Sequence, residues 1–254
     1  MKAIYQQLCA ARAIQKKQLA VLIDPDKVEP VSLRKLAESC VENQVDYLFV
    51  GGSILTGGSL STTLTLLKSF CDLPLVLFPG SHDQVDSIAD AILLLSLISG
   101  RNPEYLIGQH VTAAPKLKQS GLEILPTGYL LIESGNTTTV QYVSNTVPIP
   151  AGKPEIAACT ALAGEQLGMK LIFAEAGSGA EFPVPISVIE QIRAEISIPL
   201  IVGGGIRTPE AAYERAVAGA DLIVVGNVLE KDPLLLADLS IAIRQASGLR
   251  VKNH

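Results

Sequence analysis

Leu171-Ile172-Phe173-Ala174-Glu175-Ala176-Gly177-Ser178-Gly179, Leu200-Ile201-Val202-Gly203-Gly204-Gly205 and Leu222-Ile223-Val224-Val225-Gly226-Asn227 share one pattern: a short apolar run ending in a polar, glycine-bearing loop. The glycines recur about every 25 residues, the length of one strand plus one helix in a βα repeat. Glycine admits positive φ and lets the backbone approach a ligand closely, so that N–H groups can point at an anion. Three such loops side by side make a phosphate cradle. In a (β/α)8 barrel that cradle belongs to the loops after strands 7 and 8, on the catalytic face. One loop alone could equally be a tight turn or a helix cap. Three in consecutive units favour the phosphate.

The rest of the chain agrees with a barrel. It has 254 residues, 48% of them hydrophobic and 18% charged, which suits one large core at the usual barrel size of about 250 residues. Residues 1–254 are therefore read as a single α/β domain, a (β/α)8 TIM-type barrel. Eight buried-strand patterns appear: Leu19–Ile23, Tyr47–Val50, Leu75–Phe78, Ala91–Leu97, Glu123–Ile132, Leu171–Ala174, Leu200–Val202 and Leu222–Val225. Between them, Leu33, Leu36, Ala37, Cys40 and Val41 repeat with helical spacing. Ser81-His82-Asp83-Gln84 and Ser187-Val188-Ile189-Glu190 fit capping boxes, and Thr208-Pro209 and Gly219 fit the two ends of one helix. The small, polar stretch Gly51–Ser59 precedes a short helix from about Thr62 to Phe70. The helical coat is expected to be thin there, a barrel modified around its third helix with a side opening. Residues Glu133 to Pro150 form the longest insertion, expected over the catalytic face or at an interface.

Composition also narrows the partners. A net charge of −5 argues against nucleic acid. Cys9, Cys40, Cys71 and Cys159 lie far apart without a CxxC, as expected of reduced thiols in a cytoplasmic protein. The longest apolar run, Ala91 to Ile98, is too short to span a bilayer, and no signal peptide is visible, so a soluble chain is expected. The mean hydropathy of +0.36 fits a deep core, a greasy ligand or a subunit contact.

Two carboxylates stand at strand ends, where barrel enzymes place catalytic groups. Asp24 follows strand 1, and Pro25 biases it toward an extended conformation. It could hold Mg2+, which takes one or two protein carboxylates when substrate phosphates supply other oxygens, or it could cap a turn. Asp26 and Lys27 read as solvated turn residues. Glu175, between two alanines, could be a general base for a substrate hydroxyl or pair with Arg207. Ser178 could add a hydroxyl to the cradle or cap a helix. Arg207, His82, His110 and His254 read as structural, with His82 at a helix start and His110 inside a helix.

Taken together, Ile23-Asp24-Pro25-Asp26-Lys27, Phe49-Val50-Gly51-Gly52-Ser53, Leu77-Phe78-Pro79-Gly80-Ser81, Pro126-Thr127-Gly128-Tyr129, Phe173-Ala174-Glu175-Ala176-Gly177-Ser178-Gly179-Ala180, Ile201-Val202-Gly203-Gly204-Gly205-Ile206 and Val225-Gly226-Asn227 resemble the geranylgeranylglyceryl phosphate synthase family nearly end to end. That resemblance implies a barrel joining a polyprenyl diphosphate to the 3-hydroxyl of sn-glycerol 1-phosphate. It implies Asp24 and Ser53 as Mg2+ ligands. Phe173, Ala174, Glu175, Ala176, Gly177, Ser178, Gly179, Gly204, Gly205, Gly226 and Asn227 would bind glycerol phosphate, with Glu175 as the base. Some members carry a lysine two places before the first aspartate; here that position is Leu22, so cationic help from it is in doubt. The prenyl tail would need an apolar groove, with the gap after strand 2 and Tyr105-Leu106-Ile107-Gly108 as its expected walls.

The resemblance also implies a homo-oligomer, dimer or hexamer, with Tyr142 as an interface aromatic. Exchange of a prenyl substrate or product implies transient contact with a membrane surface. The alternative enzyme class is a phosphosugar isomerase or lyase of the phosphate-binding barrel type. It would share the cradle and Glu175 but would not need Asp24 with Ser53. A non-catalytic barrel binding a phosphorylated metabolite would need neither carboxylate.

Overall fold

The computed structural model describes residues 3–248. In chain order the elements are α1 (Ile4–Ala13), β1 (Gln18–Ile23), α2 (Pro30–Glu42), β2 (Tyr47–Val50), α3 (Leu60–Phe70), β3 (Leu75–Leu77) and β4 (Ala91–Ser96). A π-helical turn, Glu104–Gly108, runs into α4 (Gln109–Ser120). Then come β5 (Glu123–Leu131), α5 (Thr139–Ser144), α6 (Pro154–Gln166), β6 (Leu171–Glu175), α7 (Ile186–Glu195), β7 (Leu200–Gly203), α8 (Pro209–Ala218), β8 (Leu222–Val225), α9 (Asn227–Lys231) and α10 (Leu235–Gln245). The strands close in sequence order into an all-parallel barrel. Its seam pairs Gln18 with Leu222 and Val21 with Val225.

Strand side chains alternate between two cores, because a strand repeats every two residues. Leu19, Val21, Leu48, Leu75, Ile172 and Leu200 face the helices. Ala20, Tyr47, Phe49, Leu93, Tyr129, Phe173 and Ile201 fill the barrel. At the N-terminal end, α1 seals the interior: Ile4 and Leu8 join the inner core, and the Ile4 and Tyr5 N–H groups donate to the Glu123 carboxylate. The free cysteines are as expected. Among the described residues, no helix is long and apolar enough to cross a membrane.

The thin place in the coat lies after β3, not after β2. α3 follows β2 as a full helix, whereas residues 78–90 between β3 and β4 form turns only. The expected capping box at Ser81–Gln84 does not form, and His82 starts no helix. Gln84 instead accepts the Gly80 N–H (3.0 Å) and donates to the Gly52 carbonyl (3.2 Å), tying this loop to the one after β2. The second expected box also fails. α7 begins two residues early, at Ile186, with extended Pro185 as its cap, so Ser187 lies inside the helix. By contrast, the Thr208 side chain accepts the Ala211 N–H, Pro209 opens α8, and Gly219 closes it at φ 131°. The insertion after β5 carries the short helix α5 and returns through an Ile132–Ile149 bridge.

Candidate active site

β6 and β7 each run one residue further than the apolar pattern suggests, because Glu175 pairs with Leu131 on one side and Gly203 on the other. Glu175 therefore shares the inward parity of Leu171 and Phe173 and points into the barrel mouth, 6% exposed. Its Oε1 accepts the Gly177 N–H at 2.8 Å. Burial pushes its pKa up to about 7 against the opposing pull of that hydrogen bond. The Tyr129 hydroxyl, on the neighbouring strand β5, is driven well above its ordinary value by burial and then by the Glu175 charge. Arg207 is not its partner, since that guanidinium donates to the carbonyls of Ala180 (2.6 Å) and Glu181 (3.1 Å).

The glycine loops pack around this carboxylate. Gly177, Gly179, Gly204 and Gly205 all have positive φ. A Cβ on Gly204 would collide with Glu175 Oε1 and lie 2.7 Å from the Gly177 nitrogen, so only glycine fits. Among the described residues, the N–H groups of Ser178, Gly179, Gly204 and Gly205 spend no hydrogen bond on a protein acceptor. They are available to an anion. Asn227 Nδ2 donates to Ser178 Oγ at 3.1 Å, joining the loops after β6 and β8. Phe173, Ala174 and Ala176 lie beneath, fully buried. Phe173 stacks on Phe78 at 5.3 Å between ring centres, in an aromatic layer with Phe49 and Tyr129. The Ala176 N–H bonds to the Gly203 carbonyl. These three residues shape the loop from below, while Glu175, Gly177, Ser178, Gly179, Gly204, Gly205, Gly226 and Asn227 line the cavity.

Asp24 and Ser53 reach the same cavity from the loops after β1 and β2, next to the β8 loop. Asp24 Oδ1 accepts the Asp26 N–H (3.1 Å), and a Cβ on Gly52, next to Ser53, would lie 3.2 Å from it. Asp24 Oδ2 lies 3.3 Å from Lys27 Nζ. A carboxylate and a hydroxyl lining one cavity offer hard oxygens, the donors Mg2+ takes when substrate supplies the rest. Among the described residues, no three His, Cys, Asp or Glu side chains gather as a complete cage. Asp26 is an exposed turn residue, as expected, but it is not idle. It accepts the N–H groups of Thr56, Gly57 and Gly58 together with the Thr56 hydroxyl. Those bonds hold its pKa down at about 2. Lys27 is likewise exposed at this turn, and it pairs with Asp24 and Glu230.

The cavity encloses about 580 Å³ and continues from the cradle through the barrel wall. Ile92 and Leu94 on the outer side of β4, which a helix after β3 would cover, line it together with Val85, Ala113 and Leu117. Tyr105 stands over its mouth, donating to the Val143 carbonyl at 3.4 Å. Of the walls expected from sequence, Tyr105 and Gly51–Ile54 border the cavity and Leu106, Ile107 and Gly108 do not; the outer face of β4 and the α4 residues Ala113 and Leu117 were not anticipated. His82 and His110 lie on that side, at 2.8 Å from Gln109 Oε1 and 3.2 Å from Ser96 Oγ respectively. His254 lies outside the described residues.

Comparison with known proteins agrees with this geometry. Residues 12–245 match the model of the PcrB family. A geranylgeranylglyceryl phosphate synthase from Chitinophaga pinensis is 52% identical over 96% of this chain and 97% of its own. One of the same name from Spirosoma linguale is 52% identical over 91% and 92%. A crystal structure of (S)-3-O-geranylgeranylglyceryl phosphate synthase from Thermoplasma acidophilum in complex with sn-glycerol-1-phosphate superposes with a TM-score of 0.90. It is 33% identical, covering 96% of this chain and all of that one.

Proposed function

Since the chain belongs to the PcrB family of geranylgeranylglyceryl phosphate synthases, we propose that it is a Mg2+-dependent prenyltransferase joining geranylgeranyl diphosphate, or a related polyprenyl diphosphate, to the 3-hydroxyl of sn-glycerol 1-phosphate. The carrying observation is the single cavity that runs from the glycine loops, past Glu175, to the apolar outer face of β4. A phosphosugar isomerase or lyase would use the cradle but has no need of a greasy channel through the wall.

In this reading the glycerol phosphate is anchored by the free N–H groups of Ser178, Gly179, Gly204 and Gly205 and by Asn227. Fixing the phosphate in rigid loops directs the 3-hydroxyl toward Glu175 and contributes through orientation. The prenyl tail lies against Ile92, Leu94, Ala113 and Leu117. The hydroxyl oxygen forms a bond to C1 of the prenyl group as the C1–O bond to diphosphate breaks, and Glu175 takes the hydroxyl proton. A carboxylate poised near pH 7 suits that task. The products are 3-O-geranylgeranyl-sn-glyceryl 1-phosphate and diphosphate. Asp24 and Ser53 would hold Mg2+, which supplies positive charge to the departing diphosphate. The Phe49, Phe78, Tyr129 and Phe173 layer closes the floor against water, which would compete for an allylic carbon.

The proposal extends to a cytoplasmic homo-oligomer, with Tyr142, 83% exposed, open to a neighbouring subunit. Transient contact with a membrane surface would deliver or collect the prenyl compound. The test is an assay of the purified protein with Mg2+, labelled sn-glycerol 1-phosphate and prenyl diphosphates of graded length. Ether product is expected. Absence of product at every chain length would remove the proposal.

A further inference from the structure

Lys27 occupies a position that the mechanism above leaves unused. It leaves the loop after β1 and lines the cavity, with its ammonium between the two halves of the site. On the diphosphate side it lies 3.3 Å from Asp24 Oδ2. On the glycerol phosphate side it lies 3.4 Å from Oδ1 of Asn227, whose Nδ2 is bonded to Ser178. Its third neighbour is Glu230 Oε1, also at 3.4 Å, at the outer edge. The cavity bears two other strong cations, Arg207 and Lys231. Arg207 is committed to the carbonyls of Ala180 and Glu181, and Lys231 is exposed on α9. At the inner mouth, where a cation could also serve, Leu22 packs beside Gly226.

We infer that Lys27 is a substrate-binding cation shared by the two phosphate-bearing substrates, with Glu230 holding its ammonium at the site until they arrive. Two phosphorylated ligands bring several negative charges into one cavity beside Asp24 and Glu175, and among the described residues Lys27 is the lysine or arginine that lies beside both Asp24 and Asn227. A lysine acts as a compact charge on a flexible stem, so a shift of an ångström or two exchanges carboxylate partners for phosphate oxygens. The inference rests on the proposed function, since it assumes both substrates.

A bland alternative is that Lys27 only ties the β1 loop to α9. The two roles predict opposite behaviour for Glu230. Titration calorimetry of sn-glycerol 1-phosphate, without Mg2+ or prenyl diphosphate, should show Lys27→Gln binding about tenfold more weakly than wild type, with Lys27→Arg in between. Glu230→Gln should bind more tightly, because it releases the ammonium and removes a repelling charge. The KM for prenyl diphosphate should rise in Lys27→Gln, while its melting temperature stays with the wild type. Equal weakening by Lys27→Gln and Glu230→Gln would establish the tether instead. An unchanged affinity in Lys27→Gln would also overturn the inference, leaving the proposed reaction intact. Failure of the wild type to bind glycerol phosphate at all would overturn both.

Discussion

Glu175 is held where burial disfavours its charge, and the cost is visible in its pKa. Between its ordinary value of 4.5 and about 7, the folded chain keeps a proton that the unfolded chain has released. Stability therefore falls as pH rises through that window, by roughly 3 kcal/mol once fully ionised. Glu175→Gln carries no charge to desolvate. It should melt several degrees above wild type at pH 8 and match it near pH 4, as read by calorimetry. The same variant should lose at least about a hundredfold in kcat while keeping glycerol phosphate affinity. The kcat/KM of the wild type should rise with pH through an apparent pKa near 7. Equal losses in turnover and affinity would make Glu175 a binding residue. In the loop after β1, Asp24→Ala should still bind glycerol phosphate yet turn over at a rate that EDTA no longer changes. Full activity in that variant would remove Asp24 from the metal site.

Among the elements, the strands were legible in the sequence and their edges were not. A strand buried on both faces must be apolar throughout, so Tyr47–Val50 and Leu222–Val225 read directly. Glu175 and Gly203 look like loop residues, yet each extends a ladder that only the neighbouring strands supply. The glycine loops and both strand-end carboxylates were visible because their residue types have few other uses at those positions. Capping patterns misled where a side chain had a distant partner. Gln84 is drawn to Gly52, 32 residues away, and no local reading anticipates that. Asp26 is the same case, bonding across about 30 positions to Thr56, Gly57 and Gly58. Its carboxylate is therefore the clamp on the loop that carries Ser53. Asp26→Ala should speed amide hydrogen exchange at those three residues, leave the barrel strands protected, and raise the KM for prenyl diphosphate more than for glycerol phosphate. Unchanged exchange at the loop would show that the clamp is dispensable.

For the molecule as a whole, one omission from the repeat opens the room that the proposed second substrate needs. In a complete coat the outer face of β4 is core; here Ile92 and Leu94 face the cavity, because residues 78–90 supply turns rather than a helix. Apolar surface left this way is a liability for a monomeric chain unless something apolar covers it. In the proposed reaction a prenyl tail would do so for part of the catalytic cycle. The barrel can bear the loss because its strands still close on themselves without the missing helix. The cradle, built from the opposite side of the barrel by β6, β7 and β8, is untouched by it. The two halves should therefore vary independently. Leu94→Trp adds bulk to the groove wall at a partly buried position that lines the cavity. It should shorten the longest prenyl diphosphate accepted, read as product length by mass spectrometry across a graded series. The KM for sn-glycerol 1-phosphate should stay within about twofold of wild type. A uniform loss of activity at every chain length, with no shift in the profile, would place the tail elsewhere and separate the opening in the wall from the reaction.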